Sequence, residues 1–277
     1  MFDIVVTIVS YNTKSHLEKC LDSLFKDIEK SKLNIRVVVV DNASSDGSNT
    51  MLVEKYPQVD KIFLQENCGF GKAQNIAIKS IRAKYYFILN PDTYFFEENT
   101  VIKSMYEFME KEQEIGVIGP KIVYPDGSLQ MSCCRFPTIL HPFYTRTRMS
   151  SKKGKKYQNY LFMKDVEHDQ PMPVDWVMGS AMFIRANVFD RVGFFDERFW
   201  MYYEDSDLCR SAWEKNIPVY YYPEVKIEHV HRRSSADEAN VIKALVKNKI
   251  ARVHIMSWIK YMWKWRGNIN YYSRLKI

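Results

Sequence analysis

Residues 35–42 read IRVVVVDN, an almost uninterrupted apolar strand that ends in a carboxylate and an amide. Residues 4–12, IVVTIVSYN, and residues 85–92, YYFILNPD, repeat this arrangement. Between the first two strands, leucines at helical spacing predict a helix. Continuous apolar strands that alternate with helices predict an α/β fold, with a mostly parallel, Rossmann-like central sheet and helices on both faces. Ligands of such sheets bind beyond the carboxyl ends of the strands, where residues 10–12, 41–48 and 90–93 are polar.

The composition is that of a globular protein. The chain has 277 residues, 46% hydrophobic and 26% charged, enough for one large α/β domain or two small ones. Its five cysteines are odd in number and lack C-x-x-C spacing, which fits a reducing cytoplasm. The N-terminus lacks the basic and apolar regions of a signal peptide, and no apolar run is long enough to span a membrane. We therefore expect a cytoplasmic protein.

The net charge of +7 conceals a segregation of charge. Residues 127–164 hold eight Lys/Arg and residues 239–277 hold nine, and neither segment has an acidic residue. The rest of the chain carries 23 basic and 33 acidic residues, a net charge of −10. This distribution indicates anionic partners at particular places. No nucleic-acid-binding motif is present, so we expect no nucleic-acid partner.

Residues 194–208, FFDERFWMYYEDSDL, place five acidic residues among aromatic ones. Carboxylates among rings are unfavourable unless a metal, a counter-charge or a proton transfer uses them. The alternative is a solvated helix start with acidic residues in its first turn. We expect the pair Asp196-Glu197 to be a structural turn, whereas residues 204–207 suit both capping and chemistry.

The remaining segments are less regular. A turn at residues 124–128 predicts a hairpin. Residues 134–173 contain four prolines and a basic run, which predicts a mobile excursion over the site. A helix through Leu208 and Trp213, a strand at 219–222 and a long helix at about 237–265 follow.

Several short blocks, in this order and spacing, resemble the inverting glycosyltransferases of family 2, which have the GT-A fold. The combination is most similar to the rhamnosyltransferase branch, and it covers residues 3 to 235. The blocks are VSYN at 9–12, VDNASSDG at 40–47, NCGFG at 67–71, Asn75, NPD at 90–92, GPK at 119–121, PDGSLQ at 125–130, WVMGSA at 176–181 and EDSDL at 204–208.

The resemblance implies a domain plan and a nucleotide-sugar site. Residues 1–235 would form the glycosyltransferase domain, with a nucleotide-sugar-binding half at 1–120 and an acceptor and catalytic half at 121–235. Residues 236–277 would form a basic, aromatic helical tail. Asp41 would accept the N3–H of thymine or uracil from a dTDP- or UDP-sugar, and Gly69 and Gly71 would let the backbone approach this donor. The residues implied for the donor are Ser10, Tyr11, Asn12, Asp41, Asn67, Gly69, Phe70, Asn75 and Asp92.

A divalent cation, Mn²⁺ or Mg²⁺, is expected on the diphosphate. Such ions take hard oxygen ligands, and Mn²⁺ also accepts imidazole. Asp92 would be one ligand and His229 another, with His231 as the alternate. The family's D-x-D pair is Asn90-Pro91-Asp92 here, which leaves metal dependence open. A helix-capping turn at Asp92 and a structural histidine pair are the alternatives.

Inverting transfer needs a carboxylate that takes the proton from the acceptor hydroxyl. Glu204-Asp205 match the family's pair, with Asp205 as general base and Glu204 beside it. The expected acceptor residues are Trp176, Gly179, Ser180, Asp207, Arg232 and Arg233. A core tryptophan and a solvated basic loop at 232–235 are the alternatives for Trp176 and the two arginines.

The tail mixes Trp, Tyr and Lys/Arg, which is typical of an interfacial helix at the inner face of the cytoplasmic membrane. A homodimer interface and a helix packed on the catalytic domain are equally consistent with this pattern. For the whole protein we predict a rhamnosyl transferase that acts on a lipid-linked or polysaccharide acceptor in bacterial surface glycan synthesis. A sugar-nucleotide nucleotidyltransferase is the first alternative, although residues 10–13 are not the Gly-rich triphosphate loop it requires. A non-catalytic carbohydrate- or partner-binding protein is the second.

Overall fold

The computed structural model describes residues 1–98, 100–139, 152–230 and 249–266. The strands are β1 (Phe2–Ser10), β2 (Ile35–Asp41), β3 (Asp60–Phe63), β4 (Ala83–Leu89), β5 (Thr93–Phe95), β6 (Val117–Val123), β7 (Leu129–Gln130), β8 (Cys133–Cys134), β9 (Met172–Pro173), β10 (Trp176–Val177), β11 (Ala181–Arg185) and β12 (Val219–His229). The helices are α1 (Lys14–Ser31), α2 (Ser48–Lys55), α3 (Phe70–Ser80), α4 (Val101–Lys111), α5 (Lys152–Leu161), α6 (Ala186–Val192), α7 (Glu204–Glu214) and α8 (Lys249–Lys264).

A ten-stranded sheet forms the centre of the molecule, in the order β3-β2-β1-β4-β11-β6-β12-β5, with β7 and β9 added at β6 and β12. The pairings make β3, β2, β1, β4, β6 and β12 run in one direction, whereas β11 and β5 run in the other. The predicted α/β class with a mostly parallel sheet is confirmed. Strand β6 spans the boundary predicted at 120/121, so the two halves share one sheet.

Successive side chains of the strands enter two separate cores. Ile4, Val6 and Ile8 of β1 pack with apolar residues of α1, α2 and α4. Val5 and Val9 pack on the other face with residues of α3, α6 and α7. Because alternate residues of a strand point to opposite faces, a continuous β-branched run buries both faces at once.

The register aligns the carboxyl ends of the first strands. Ser10 pairs with Asp41, and Ile8 pairs with Leu89. The polar segments after β1, β2 and β4 therefore lie at one edge of the sheet. Antiparallel β11 begins there too, since Ala181 pairs with Leu89. This brings residues 178–181 from the second half of the chain to the same edge.

Residues 134–173, predicted as an irregular excursion, contain the helix α5. Its last residue, Leu161, is buried, and so is Met163, which follows the helix. Residues 140–151 within that segment lie outside the described residues. The predicted hairpin is present, because β7 pairs antiparallel with β6. In the described part of the chain, no helix is long and apolar enough to cross a membrane.

Candidate active site

The loops that follow β1 and β2 are tied together by Asn12. Its backbone N–H donates to Ser44 Oγ at 2.9 Å, and its Oδ1 accepts the Ser45 N–H at 2.8 Å. Asn12 adopts a left-handed conformation (φ 53°), which asparagine tolerates better than most residues. Ser10 is buried with its Oγ 2.8 Å from Thr13 Oγ1, whereas the Tyr11 ring is exposed. Of these three predicted donor residues, Tyr11 and Asn12 are exposed, and the Asn12 side-chain oxygen is already bonded to Ser45.

Asp41 is fully buried at the end of β2. Its Oδ1 accepts the Ser44 N–H at 2.8 Å, and both carboxylate oxygens lie 3.0 Å from the Asn49 side-chain amide, oriented with its NH2 group toward them. The carboxylate is thus enclosed by its own turn. Contact between Asp41 and a nucleobase requires this turn to open, and its role in base recognition stays a prediction.

The loop around Gly69 packs against the acidic aromatic segment, residues 194–208. Gly69 has φ 89°, and a Cβ there would lie 2.2 Å from the Trp200 carbonyl oxygen, which accepts the Phe70 N–H at 2.9 Å. A Cβ on Gly71 would lie 3.2 Å from Phe195 Cβ. Glycine is therefore required here for close packing on residues 195–204, and the predicted approach of this backbone to the donor stays a prediction.

Asn42 fixes the conformation of residues 67–69 by hydrogen bonds. Its position in the VDNASSDG block did not predict this role. Its side-chain amide donates to Asn67 Oδ1 at 3.1 Å and to the Gly69 carbonyl at 3.2 Å, and its oxygen accepts the Cys68 N–H at 2.9 Å. The buried position directly after β2 was the available signal. Asn67 is thereby a loop-forming residue, and its contact with the donor remains untested.

Asn75 of α3 clamps the other end of the same segment. Its amide donates to the Phe195 carbonyl at 2.8 Å and its oxygen accepts the Phe195 N–H at 3.0 Å. The side chain is buried. Both of its polar groups bond the protein backbone, so Asn75 positions residues 194–208, and its contact with the donor stays a prediction.

Asp92 and His229 face each other at the sheet edge. Their strands are paired, since His229 lies opposite Thr93. Asp92 Oδ1 is 3.3 Å from His229 Nε2, and His229 Nδ1 is 2.9 Å from Gln130 Oε1. With the Gln130 oxygen as acceptor, Nδ1 carries the proton and Nε2 is directed at Asp92. Gln130 ends the PDGSLQ block, for which no site role was predicted, and the structure shows that it fixes the orientation of the His229 ring.

This pair fits a divalent ion. Neighbouring donors on an octahedral ion with bonds of about 2.1 Å lie roughly 3 Å apart. A histidine whose other nitrogen is fixed by a hydrogen bond is the usual arrangement at a metal. Among the described residues no three His, Cys, Asp or Glu side chains form a metal cage, so an ion here needs further oxygens from substrate or water. His231 lies outside the described residues.

Asp205 lies in the first turn of the helix α7 and faces residues 178–181. The Gly179 N–H donates to its Oδ2 at 3.0 Å and the Ser206 N–H to its Oδ1 at 2.7 Å. A Cβ on Gly179 would lie 3.3 Å from Asp205 Cβ, which explains the small residue. Asp205 keeps partial exposure, whereas Glu204, Ser206 and Asp207 are buried. Asp205, the predicted base, is thus the least buried residue of this cluster.

Two backbone contacts connect this carboxylate with the Asp92 turn. The Asn90 N–H donates to the Ser180 carbonyl at 2.9 Å, and Gly179, one residue earlier, donates to Asp205. The structure therefore brings the predicted base and the predicted metal pair to the same edge of the sheet, although 113 positions of sequence separate Asp92 from Asp205.

The electrostatics distinguish the adjacent carboxyls. Burial raises the pKa of Glu204 well above its ordinary value, and the neighbouring Asp205 charge adds to this effect. Burial also raises the pKa of Asp205, opposed by the N–H donors of Gly179 and Ser206. Glu204 Oε2 is buried without a hydrogen-bond partner in the described structure. Of the two neighbours, Glu204 is the carboxyl that more readily keeps a proton, because a like charge beside a buried carboxyl disfavours its ionised form.

Asp207, predicted to contact the acceptor, is instead held by the tail helix. Lys264 Nζ lies 2.6 Å from its Oδ2, and Trp265 Nε1 donates to its Oδ1 at 2.9 Å. Burial raises the pKa of Asp207, and Lys264 opposes this shift. Both oxygens of Asp207 thus contact the tail helix, and its role toward the acceptor stays a prediction.

Lys264 also contacts Asp196 Oδ2, at 2.9 Å. Asp196 bonds the Arg198 backbone and side chain as well, and these cations hold its pKa below the ordinary value despite partial burial. Asp196 is thus part of a structural turn, as predicted.

Of the three alternatives for the tail, the structure shows α8 packed on the catalytic domain, and this packing leaves its outer face unexplained.

The remaining acceptor candidates are divided. Trp176 is half-buried and its Nε1 donates to the Arg135 carbonyl at 3.0 Å, as a core residue would. Ser180 is buried beside Gly179, and its Oγ has no hydrogen-bond partner within the described ranges. Arg232 and Arg233 lie outside the described residues. The acceptor roles of Trp176, Gly179 and Ser180 stay predictions.

In this Rossmann-like sheet, β11 carries the second half of the chain back to the edge formed by the carboxyl ends of β1, β2 and β4. This is the architecture of the GT-A fold. A solved structure agrees: that of GalNAc-T7 with UDP, GalNAc and Mn²⁺ aligns with a TM-score of 0.62 at 15% identity, over 84% of this chain and 44% of that one.

The family model described as glycosyl transferase family 2 matches residues 5–176, and the chain belongs to this family. An N-acetylglucosaminyl-diphospho-decaprenol L-rhamnosyltransferase of Mycobacterium tuberculosis is 27% identical over 98% of this chain and 92% of its own length. The rhamnosyltransferase WbbL of Escherichia coli is 24% identical over 94% of this chain and 92% of its own. The protein is a glycosyltransferase of the rhamnosyltransferase-like branch, and the resemblance read from the sequence is confirmed.

Proposed function

We propose that this protein transfers L-rhamnose from dTDP-rhamnose to a lipid-linked or polysaccharide acceptor, with inversion at the anomeric carbon. The observation that carries the proposal is the placement of Asp205 at the same sheet edge as Asp92 and His229. Relatives named as rhamnosyltransferases support the sugar, and the decaprenol-linked substrate in the name of one of them supports a lipid-linked acceptor. All five cysteines are free thiols, which favours action in the cytoplasm.

Asp205 takes the proton of the acceptor hydroxyl while that oxygen attacks the anomeric carbon. A new C–O bond forms on one face of the sugar as the bond to the diphosphate breaks on the other. The N–H groups of Gly179 and Ser206 hold the carboxylate in place, and burial makes it a stronger base than a solvated aspartate. Glu204, protonated, adds no second negative charge.

Asp92 and His229 would hold Mn²⁺ or Mg²⁺, with Gln130 fixing the imidazole. When bound, the ion neutralises charge on the diphosphate leaving group. The structural neighbour GalNAc-T7 was solved with both UDP and Mn²⁺, which supports this assignment.

Donor binding is tested by thermal unfolding of the full chain with dTDP-rhamnose, dTDP-glucose and UDP-N-acetylglucosamine, each with and without Mn²⁺. Ligand at 100-fold its Kd stabilises the native state by about 2.7 kcal/mol, a shift in Tm of roughly 5–10 °C at this size. We expect the largest shift with dTDP-rhamnose and Mn²⁺. A flat response to dTDP-sugars with a shift for UDP-sugars contradicts the rhamnose assignment.

Catalysis is tested with Asp205→Asn. Because the amide cannot take the proton, transfer of labelled rhamnose to the lipid fraction of bacterial membranes should fall by roughly 10²–10⁴-fold. The shift in Tm with donor should persist. Asp190→Asn, at an exposed position of α6, is the matched control and should retain wild-type transfer. Near-wild-type transfer by Asp205→Asn contradicts the base assignment.

A further inference from the structure

The tail helix α8 has two faces of different character. Its inner face packs on residues 196–207: Ser257 Oγ donates to the Met201 carbonyl at 2.8 Å, and Tyr261 is fully buried with Phe199 and Tyr203. Together with the contact of Lys264 with Asp207, this fixes how the helix is rotated on the domain. The outer face is therefore defined as well.

Large apolar side chains stand exposed on the outer face. Met256 is 52% exposed, Ile259 46% and Trp263 66%. At 100° per residue these three positions lie within about 60° of arc.

Cations flank the apolar stripe. Lys249, Arg252 and Lys260 are exposed and lie on the same side of α8, within an arc of about 100° that also contains the stripe. Arg266 is exposed just after the helix ends at Lys264. Residues 249–266 contain no acidic residue, in a protein whose remainder outside its two basic segments is net acidic. The Arg266 guanidinium lies 3.9 Å from the centre of the Trp263 ring. Apolar anchors with a basic rim are the pattern of a helix that lies in a membrane interface.

We infer that the outer face of α8 docks this protein on an anionic lipid bilayer. Met256, Ile259 and Trp263 would enter the headgroup region, and Lys249, Arg252 and Arg266 would contact lipid phosphates. A second copy of the chain is a poor occupant, because a two-fold contact places the same patch against itself and opposes like charges. An anionic surface complements both the charges and the stripe.

Docking in this way brings the catalytic residues to the membrane. The inner face of the same helix holds Asp207, two positions from the proposed base Asp205. In this consequence the inference rests on the proposed function: a bilayer on α8 places the base next to the layer in which a lipid-linked acceptor resides. Vesicle binding itself needs no catalysis, so its failure and a failure of transfer are separate results.

The test is co-sedimentation of the full chain with vesicles of phosphatidylglycerol and phosphatidylcholine, against phosphatidylcholine alone. We expect binding to the anionic vesicles at least tenfold tighter and weakened by salt. Lys249→Gln with Arg266→Gln should weaken binding roughly 25-fold, at about fivefold per cation removed. Ile259→Ser with Trp263→Ser should weaken it at least tenfold. Lys111→Gln and Val53→Ser, exposed residues of α4 and α2, are the matched controls and should bind as wild type.

Equal binding to neutral and anionic vesicles, no binding of the wild type, or unchanged binding of both double variants would overturn the inference. So would a dimer in sedimentation velocity that Ile259→Ser with Trp263→Ser converts to monomer, since the face would then be occupied by a second copy. Each variant is first compared with wild type in Tm, and the wild-type comparison of lipids decides the matter even where a variant fails to fold.

Discussion

Three carboxyls within four positions of α7 have separate tasks because their surroundings differ. Glu204 is buried and its pKa is raised by burial and by the Asp205 charge, Asp205 accepts two backbone N–H groups, and Asp207 is paired with Lys264. Their residue types alone do not distinguish them. What separates them is which side chain meets Gly71, Gly179 or the tail, and that depends on contacts far away in sequence.

Gly69 is the residue on which the placement of this segment depends most directly. Gly69→Ala introduces a Cβ 2.2 Å from the Trp200 carbonyl in a backbone conformation that is almost restricted to glycine. We expect a loss of about 3 kcal/mol in unfolding free energy, from strain and from displacement of Trp200. Urea unfolding measures the loss, and the Tm shift with donor should shrink as the loop moves.

Gly127→Ala is the matched control for this change. Gly127 also has positive φ (80°), but a Cβ there meets nothing within 4 Å. It should lose only the backbone component, about 1 kcal/mol. Equal losses for the two variants contradict the view that contact with Trp200 requires Gly69.

Lys264 of α8 connects that helix to Asp207 of α7. Lys264→Met removes the counter-charge of Asp207 and one of the two cations that contact Asp196. Among the described residues, Asp207 is then left buried with the Trp265 N–H. Breaking a buried pair costs several kcal/mol, and since Lys264 is partly exposed we expect about 2 kcal/mol in urea unfolding. Transfer should fall as well, because Asp207 lies in the same helical turn as Asp205.

Lys260→Met provides the comparison. Lys260 is exposed on the same helix and donates to the Arg198 backbone carbonyl at 2.7 Å. Its loss should change the unfolding free energy by less than about 1 kcal/mol. Adding Asp207→Asn to Lys264→Met should recover most of the lost stability, since no buried charge remains. Equal effects of Lys260→Met and Lys264→Met, or no recovery, would refute the charge argument.

At the level of elements, the first half of the chain could be predicted well from sequence. Its strands are continuous β-branched runs that end in polar residues, so their pairing and the shared edge follow from local pattern. The docking of α8 could not be predicted, because Trp, Tyr and Lys on one helix suit a core, a dimer or a membrane alike. The structural contacts of Asp207 and Asn75 could not be predicted for the same reason: both are polar residues in motif blocks whose partners lie 57 and 120 positions away.

Across the whole molecule, a rise in pH lowers the free energy of unfolding and at the same time favours the proposed transfer reaction. Burial raises the pKa values of Glu204, Asp205 and Asp207, and that of Asp175 to about 6. A carboxyl with a raised folded-state pKa binds more protons in the native state than in the unfolded chain, so its contribution to stability falls as pH rises. Transfer needs Asp205 ionised and gains from the same rise. The proposed base Asp205 therefore has to ionise for transfer, and its ionisation lowers the free energy of unfolding.

Asp175 isolates this effect from catalysis, because it lies in the core and its Oδ2 accepts the Phe136 N–H at 2.6 Å while Oδ1 has no partner in the described structure. Its stabilising contribution is complete below the ordinary pKa of 3.8 and is lost as pH rises through about 6. At 1.36 kcal/mol per unit of pKa, the loss approaches about 3 kcal/mol. Asp175→Asn, which keeps an acceptor for Phe136 and cannot ionise, should therefore gain stability relative to wild type between pH 4 and pH 8. Urea unfolding across that range measures the difference.

Asp169→Asn, at an exposed position, should show a difference that does not change with pH. A constant difference for Asp175→Asn as well means that this carboxyl is not perturbed in the folded protein.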